Sequence, residues 1–378
     1  MRPTALRLTA LLVLSNVLLA THAQDKINVV TTAVPFLRIS PDARAGGMGD
    51  MGLATSPDAS AGFWNMGKVA FNESKGGIAA TYTPWLKDLV NDVYLASVSG
   101  YYKVDDVNAL NLGVRYFSLG NIQFTDGNGN LNGTGKPREF SVDFGYSRKL
   151  SDKLGLGVAL RYINSDLASG AASSSGTYKV GSSVAGDLGF YYDGKNTVGD
   201  GITFGAVLSN LGAKISYTDN ADQKDFIPAN FGLGFTYNKA FDEQNKLMLG
   251  LDLNKLLVPT LKSNATSQDI TDYREKGVVG SWFSSFSDFP GQANVSLGAE
   301  YWYNNQFAFR VGYFWEDKNR GNRQYFTAGL GLKYNIFGLN FSYLAPSGSG
   351  VNRNPLSNTL RFSVLFDLGN TDGTSSGE

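Results

Sequence analysis

Between residues 76 and 369 the chain repeats one device: about ten residues alternating apolar with small or polar side chains, then a turn rich in Gly, Asn, Asp or Ser. A two-residue period puts every second side chain on one face of a β-strand. Leu154-Leu156-Val158-Leu160-Tyr162, Leu247-Leu249-Leu251-Leu253, Phe307-Phe309-Val311-Tyr313-Trp315 and Leu360-Phe362-Val364-Phe366-Leu368 each draw one continuous apolar face. Fourteen such segments begin near Gly77, Val93, Ala109, Glu139, Lys153, Val184, Ile202, Ala229, Lys246, Ala293, Gln306, Tyr325, Leu339 and Asn358. An even number of strands this long is what a closed antiparallel barrel in an outer membrane needs, because closure leaves no unpaired backbone edge in lipid. The fold expected is all-β, a 14-stranded transmembrane barrel.

The connections alternate in length, as they do between the two sides of such barrels. Long ones fall near 84–91, 120–137, 165–183, 211–228, 256–291, 316–323 and 345–356. Short ones fall at Asp105-Asp106, Ser151-Asp152, Asp193-Gly194, Asp242-Glu243, Asn304-Asn305 and Ile336-Phe337. With the short turns periplasmic, both termini are expected on the periplasmic side. A soluble β-sandwich would also alternate, but it gives no reason for the loop rhythm. Nor does it explain Tyr and Trp near strand ends (Tyr82, Trp85, Tyr101, Tyr116, Tyr162, Tyr237, Tyr303, Trp315, Tyr334, Tyr343), which interfacial aromatic girdles do explain.

An ionised Arg or Lys facing lipid at the midplane costs about 2–4 kcal/mol, so strand charges are expected on the inward parity. Arg115, Asp143, Arg161, Asp187, Asp252, Glu300, Arg310, Lys333, Arg361 and Asp367 lie opposite the apolar stripe. Arg115, Asp143, Arg161 and Asp187 alternate in sign over four successive strands. That favours a cross-linked, occupied lumen with little conductance over a single-sign selectivity ring.

At the start, Arg2 and Arg7 precede an apolar run from Ala10 to Ala20, followed by Thr21-His22-Ala23. Residues 1–23 read as a secretory signal peptide; a retained anchor helix is the alternative, and the run is short for one. His22 is the one histidine of the sequence and there is no cysteine. Without residues 1–23 a Ser-His-Asp hydrolase, a Cys-His enzyme, a His-ligated metal and an acylated-cysteine anchor are all excluded. Losing Arg2 and Arg7 leaves 31 basic against 33 acidic residues, a net charge of about −2, no footing for nucleic-acid binding. No catalytic, cofactor or metal set is read.

Residues 24–75 form a separate pre-barrel segment, with Pro35-Phe36-Leu37, Trp64 and Phe71 among Gly, Asp and Ala. It is too apolar for a solvated tail, and a plug in the lumen would bury it; an ordinary periplasmic leader is the alternative. Gly47-Met48-Gly49-Asp50-Met51-Gly52 matches the letters of a dinucleotide fingerprint but lacks the strand-turn-helix context. Its glycines read instead as points where backbone approaches backbone. The loop 256–291 carries Trp282, Phe283, Phe286 and Phe289, either a lid folded over the lumen or a docking surface for protein or lipid. Residues 370–378 read as a short polar periplasmic tail.

Pro35-Phe36-Leu37-Arg38-Ile39-Ser40-Pro41-Asp42-Ala43-Arg44-Ala45-Gly46-Gly47-Met48-Gly49-Asp50, continuing through Ala54-Thr55-Ser56-Pro57-Asp58-Ala59 to Phe63-Trp64-Asn65-Met66-Gly67-Lys68, resembles the N-terminal signature of the PorV family, outer-membrane components of the Bacteroidota type IX secretion system. More distantly the layout resembles FadL-class transporters of hydrophobic molecules, in which Asn-Pro-Ala follows the aromatic; Asn65-Met66-Gly67 stands there instead, which favours the PorV branch. The resemblance implies a non-enzymatic protein that binds translocated cargo through a C-terminal signal domain and carries it to the surface sortase complex. Its implied partners are a large translocon barrel, cargo, the sortase complex and outer-membrane lipid. Hydrophobic-molecule transport is the alternative, and a lipid hydrolase without histidine a third.

Overall fold

The computed structural model describes residues 32–369 except 88–89, 126–127, 169–171, 174–175, 220–223, 262–263, 289–292, 318–320 and 346–357. Fourteen strands make one closed antiparallel barrel. They are β1 Gly76–Pro84, β2 Val93–Lys103, β3 Asn108–Leu119, β4 Arg138–Lys149, β5 Leu154–Asp166, β6 Gly181–Asp193 and β7 Gly201–Gly212. The second half comprises β8 Asn230–Ala240, β9 Asn245–Leu256, β10 Ala293–Tyr303, β11 Phe307–Glu316, β12 Gln324–Tyr334, β13 Phe337–Ala345 and β14 Leu360–Leu368. Each strand pairs with its sequence neighbour, and β1 closes on β14 with Gly76 opposite Leu368 and Tyr82 opposite Phe362. Residues 1–23, expected to be a signal peptide, residues 370–378, expected to be a polar tail, and Phe289 lie outside the described residues.

The two-residue period becomes an inside and an outside. On β5, Leu156, Val158, Leu160 and Tyr162 are exposed on the outer surface, while Ala159, Arg161 and Ile163 are buried within. An outward apolar belt on every strand is the surface a bilayer solvates, and it relieves the interior of any need to be apolar. Two of the aromatics expected in the interfacial girdles face the other way. Tyr101 shares the parity of Ser97 and Ser99, is buried, and donates its hydroxyl to Ser74 O at 3.3 Å. Trp85 turns inward at the loop-end mouth, edge-on to Phe117. In both, strand parity and loop packing override closeness to a strand end.

Short turns join strands at one end and long loops at the other. Asn304 and Asn305 both take positive φ, 54° and 52°, the two-residue turn whose twist matches antiparallel strands. The β6–β7 connection is longer than the Asp193-Gly194 turn expected, running through 194–200. The long loops carry structure of their own. Ile122–Thr125 pairs with Leu131–Gly135 and Ile215–Ser216 with Lys224–Asp225.

The segment before β1 threads the lumen. Ala33 donates its N–H to Phe226 O at the long-loop mouth, where Val34, Phe36 and Leu37 pack with Phe117, Ile163, Ile215 and Ile227. Two four-residue helical turns follow, α1 Ala43–Gly46 and α2 Ala61–Trp64, and a 3₁₀ stretch Met66–Phe71 leads to β1 at the short-turn end. The even strand count places the start of β1 and the end of β14 together. The described chain as a whole nevertheless begins at one end of the barrel and finishes at the other, because the plug spans the lumen between them. The expectation of both termini on the periplasmic side concerns residues outside the described ones.

Candidate functional site

The interior is a plug seated on a ring of inward glycines. On nine successive strands Gly145, Gly157, Gly189, Gly205, Gly234, Gly250, Gly298, Gly312 and Gly329 face plug atoms. Reading round from β12, these strands meet Gly47, then Met48 and Gly49, Met51, Leu53, Asn65 and Met66. A Cβ on Gly329 would stand 3.0 Å from Gly47 Cα, and one on Gly312 would fall on Gly49 N and Met48 C. Side chains are dispensed with wherever plug backbone must touch wall backbone. The Gly47–Gly52 run is therefore a packing device.

The strand charges meet the plug and one another. Arg115 Nη2 lies 3.5 Å from Asp143 Oδ2; Arg161 binds Asp143 through Nε and Asp187 through Nη2 at 2.9 Å, so the four alternating charges form one line across β3 to β6. Glu300 accepts from Arg44 Nη2 at 2.8 Å and from Arg310 Nε at 2.6 Å. Asp252 Oδ2 accepts the backbone N–H groups of Gly52 and Leu53 at 2.7 and 2.8 Å. Arg361 pairs with Asp50 at 3.0 Å. Lys333 and Asp367 pair at 2.8 Å, half-exposed near the short turns. Buried charges held by several donors or acceptors fix a single geometry.

Plug residues supply the matching half, and the sequence reading did not assign them individually. Arg44 also binds Asp58 at 3.0 Å and Ser56 Oγ at 2.7 Å. Lys68 Nζ donates to Gly52 O at 2.6 Å, Thr55 Oγ1 at 3.0 Å and Thr55 O at 3.1 Å, and burial pushes its ammonium down to about 8. Asp42, capping α1 through Ala45 N–H and accepting from the Trp64 indole, is raised by burial and by Asp58. The available signal was the presence of charges in so apolar a segment. Their partners, more than two hundred positions away for Arg44 and Glu300, leave no local trace.

The plug divides the remaining space. At the short-turn end a cavity of about 530 Å³ is lined by Arg44, Asp58, Tyr101, Trp302, Lys333 and Asp367 among others. Toward the long loops a cavity of about 110 Å³ is lined by Arg38, Arg323, Asn254, Asn294, Ser296 and Phe314 among others. Glu316 holds Arg323 with two bonds of 2.7 Å, whereas Arg38 reaches it at 3.9 Å. Burial and then Arg323 bring the Arg38 guanidinium down to about 10.

Outside the lumen, the longest loop folds into α3 Ser267–Glu275 and α4 Val278–Ser284. Thr266 and Asp269 make a reciprocal capping box at the start of α3, and Lys214 Nζ donates to Arg274 O and Lys276 O at its end, where a cation favours the helix dipole. Tyr273 packs edge-on against Phe226. Of the candidate aromatics, Trp282 is half-buried, Phe283 is 74% exposed, and Phe286 lies 5.9 Å from the Phe231 ring. Phe231 has the outward parity of Phe235, so Phe286 leans on the outer rim of β8.

These features define a class, the outer-membrane β-barrel of FadL architecture. The toluene transporter TbuX of Ralstonia pickettii superposes with a TM-score of 0.55 at 12% identity, over 88% of this chain and 100% of that one. A FadL homologue of Pseudomonas aeruginosa superposes with a TM-score of 0.50 at 13% identity, over 90% and 100%. At such identities the likeness concerns the fold. In sequence, the family model for type IX secretion system protein PorV matches residues 21–263, and the chain belongs to the PorV family. No curated protein matches the sequence.

Proposed function

We propose that the protein is a non-catalytic component of the type IX secretion system that receives translocated cargo by its C-terminal signal domain and passes it to the surface sortase complex. The carrying observation is the family match over residues 21–263. The interior supports it: a plug fastened by ion pairs and close-packed glycines makes the barrel an anchor and leaves the long loops as the working surface. On this reading the short turns and the end of β14 face the periplasm. The described chain starts at the external mouth, and Trp282, Phe283, Phe286 and Phe289 belong to the partner-binding face. Of the ten strand charges, Arg115, Asp252, Glu300 and Arg361 serve to hold the plug directly.

The test is a mild-detergent pull-down of the tagged protein from its outer membrane, with mass spectrometry of what is retained. A large translocon barrel, a sortase or proteins sharing a C-terminal β-domain are expected. Replacing Phe283 and Phe286 with Ser should reduce cargo recovery while the barrel still assembles; unchanged recovery would remove these aromatics from the binding face. A second reading, transport of hydrophobic molecules, has the FadL-like fold in its favour. Retention of the barrel alone with bound lipid or hydrocarbon would decide for it.

A further inference from the structure

The loop-end cavity has a chemistry the ion lattice does not use up. The charged groups lining it belong to three ion-paired networks: Asp50 with Arg361, and Arg161 with Asp143, Asp187 and, through Asp143, Arg115, are each balanced, whereas Arg38 and Arg323 share the single carboxylate of Glu316, leaving one positive charge over. The surplus sits at Arg38, because Glu316 is already engaged in two bonds by Arg323. Ser296, 1% exposed, lines the same cavity with its Oγ lacking any hydrogen-bond partner among the described residues. Amides line the wall too: Asn230 donates to Asn254 at 2.9 Å, and Asn294 is beside them. A volume of about 110 Å³ holds several waters or a carboxylate with a few attached atoms, at roughly 10–15 Å³ per water.

We propose that this mouth is a carboxylate-binding site, in which Arg38 provides the charge-assisted donors, Ser296 a hydroxyl, and the asparagines partners for amide groups next to the carboxylate. Guanidinium is the fork that fits a planar carboxylate. One surplus charge balances a monoanion, whereas a phosphate monoester, at about −1.5 to −2, would leave uncompensated negative charge beside Asp50 and Glu316. The carboxylate comes from a peptide chain end or from a free organic acid. The site is independent of the secretion reading, since it is defined by binding to the purified barrel.

The experiment is fluorescence anisotropy on the detergent-solubilised full chain, using N-terminally labelled Ser-Gly-Gly as free acid and as C-terminal amide. The acid is expected to bind about tenfold more tightly than the amide, the scale of a hydrogen bond to a charged group. Arg38→Gln should bring the acid down to the amide, Arg38→Lys should restore part of the difference, and Ser296→Ala should weaken the acid alone. Competition by acetate at concentrations matching the unlabelled peptide acid assigns the site to free acids; competition by the peptide acid only assigns it to chain ends. Equal binding of acid and amide by the unsubstituted protein overturns the proposal, whatever the variants do. So does inorganic phosphate competing better than either carboxylate.

Discussion

Glu300 shows what a single residue does in this interior. It is 2% exposed and held between Arg44 of the plug and Arg310 of the wall. A buried carboxylate shared by two guanidiniums offsets the desolvation of all three groups, and removing it strands the cations. Glu300→Gln is therefore expected to lower stability by about 3–5 kcal/mol, read as the shift in denaturant midpoint of the barrel in detergent. Asp58, the other carboxylate on Arg44, is partly exposed, so Asp58→Asn is expected to cost about 1 kcal/mol or less. Equal effects would mean that Glu300 does not join plug to wall. The same residue marks how far sequence carries. The alternation of Ala299, Glu300 and Tyr301 carries its inward parity, but its partner Arg44 lies 256 positions away, and a strand pattern contains no information about what fills the lumen.

At the scale of elements, the plug is positioned by close approach as much as by charge. Gly312 of β11 faces Gly49 N and Met48 C, backbone atoms with no freedom to move aside, whereas Gly145 of β4 faces the terminal methyl and sulfur of Met66. Gly312→Ala is expected to displace the plug from that wall and raise single-channel conductance in planar bilayers above that of the unsubstituted protein. Gly145→Ala should leave conductance unchanged, because a methionine side chain repacks readily. Like conductance in the two variants would show that the ring of glycines does not seat the plug. The strands themselves were the legible elements: a lipid-facing strand has a strict two-residue period over its whole length, so β1 to β14 announce themselves individually. The helices of the longest loop did not. α3 and α4 are short, lie outside the membrane, and are fixed by Lys214 and Phe226 of a different loop; the local sign of α3 was the Thr266 to Asp269 capping spacing. The entry of residues 32–37 at the long-loop mouth was not legible for a related reason, since counting strands says nothing of a segment that crosses the lumen without joining the sheet.

For the molecule as a whole, closure depends on β1 meeting β14, strands at opposite ends of the sequence. Gly76 and Leu368 are paired across that seam, and a Cβ on Gly76 would stand 3.7 Å from Leu368 Cβ, inside the ~3.5–4.5 Å range of disulfides. The chain has no cysteine, so Gly76→Cys with Leu368→Cys introduces one unambiguous bond. Oxidation is expected to proceed in the assembled barrel and to raise resistance to thermal unfolding in detergent, since closing so long a loop is worth of order 5 kcal/mol in chain entropy. The bond also separates two ways of working. A protein that acts through its loops keeps its wall shut, so cargo delivery in cells carrying the oxidised variant should equal that of the unsubstituted protein. A protein that passes molecules sideways through the wall at this seam would be blocked by the bond and released by reductant. Delivery that fails when oxidised and recovers when reduced would show that the seam must open, and the barrel could then no longer be read as a passive anchor for its loops.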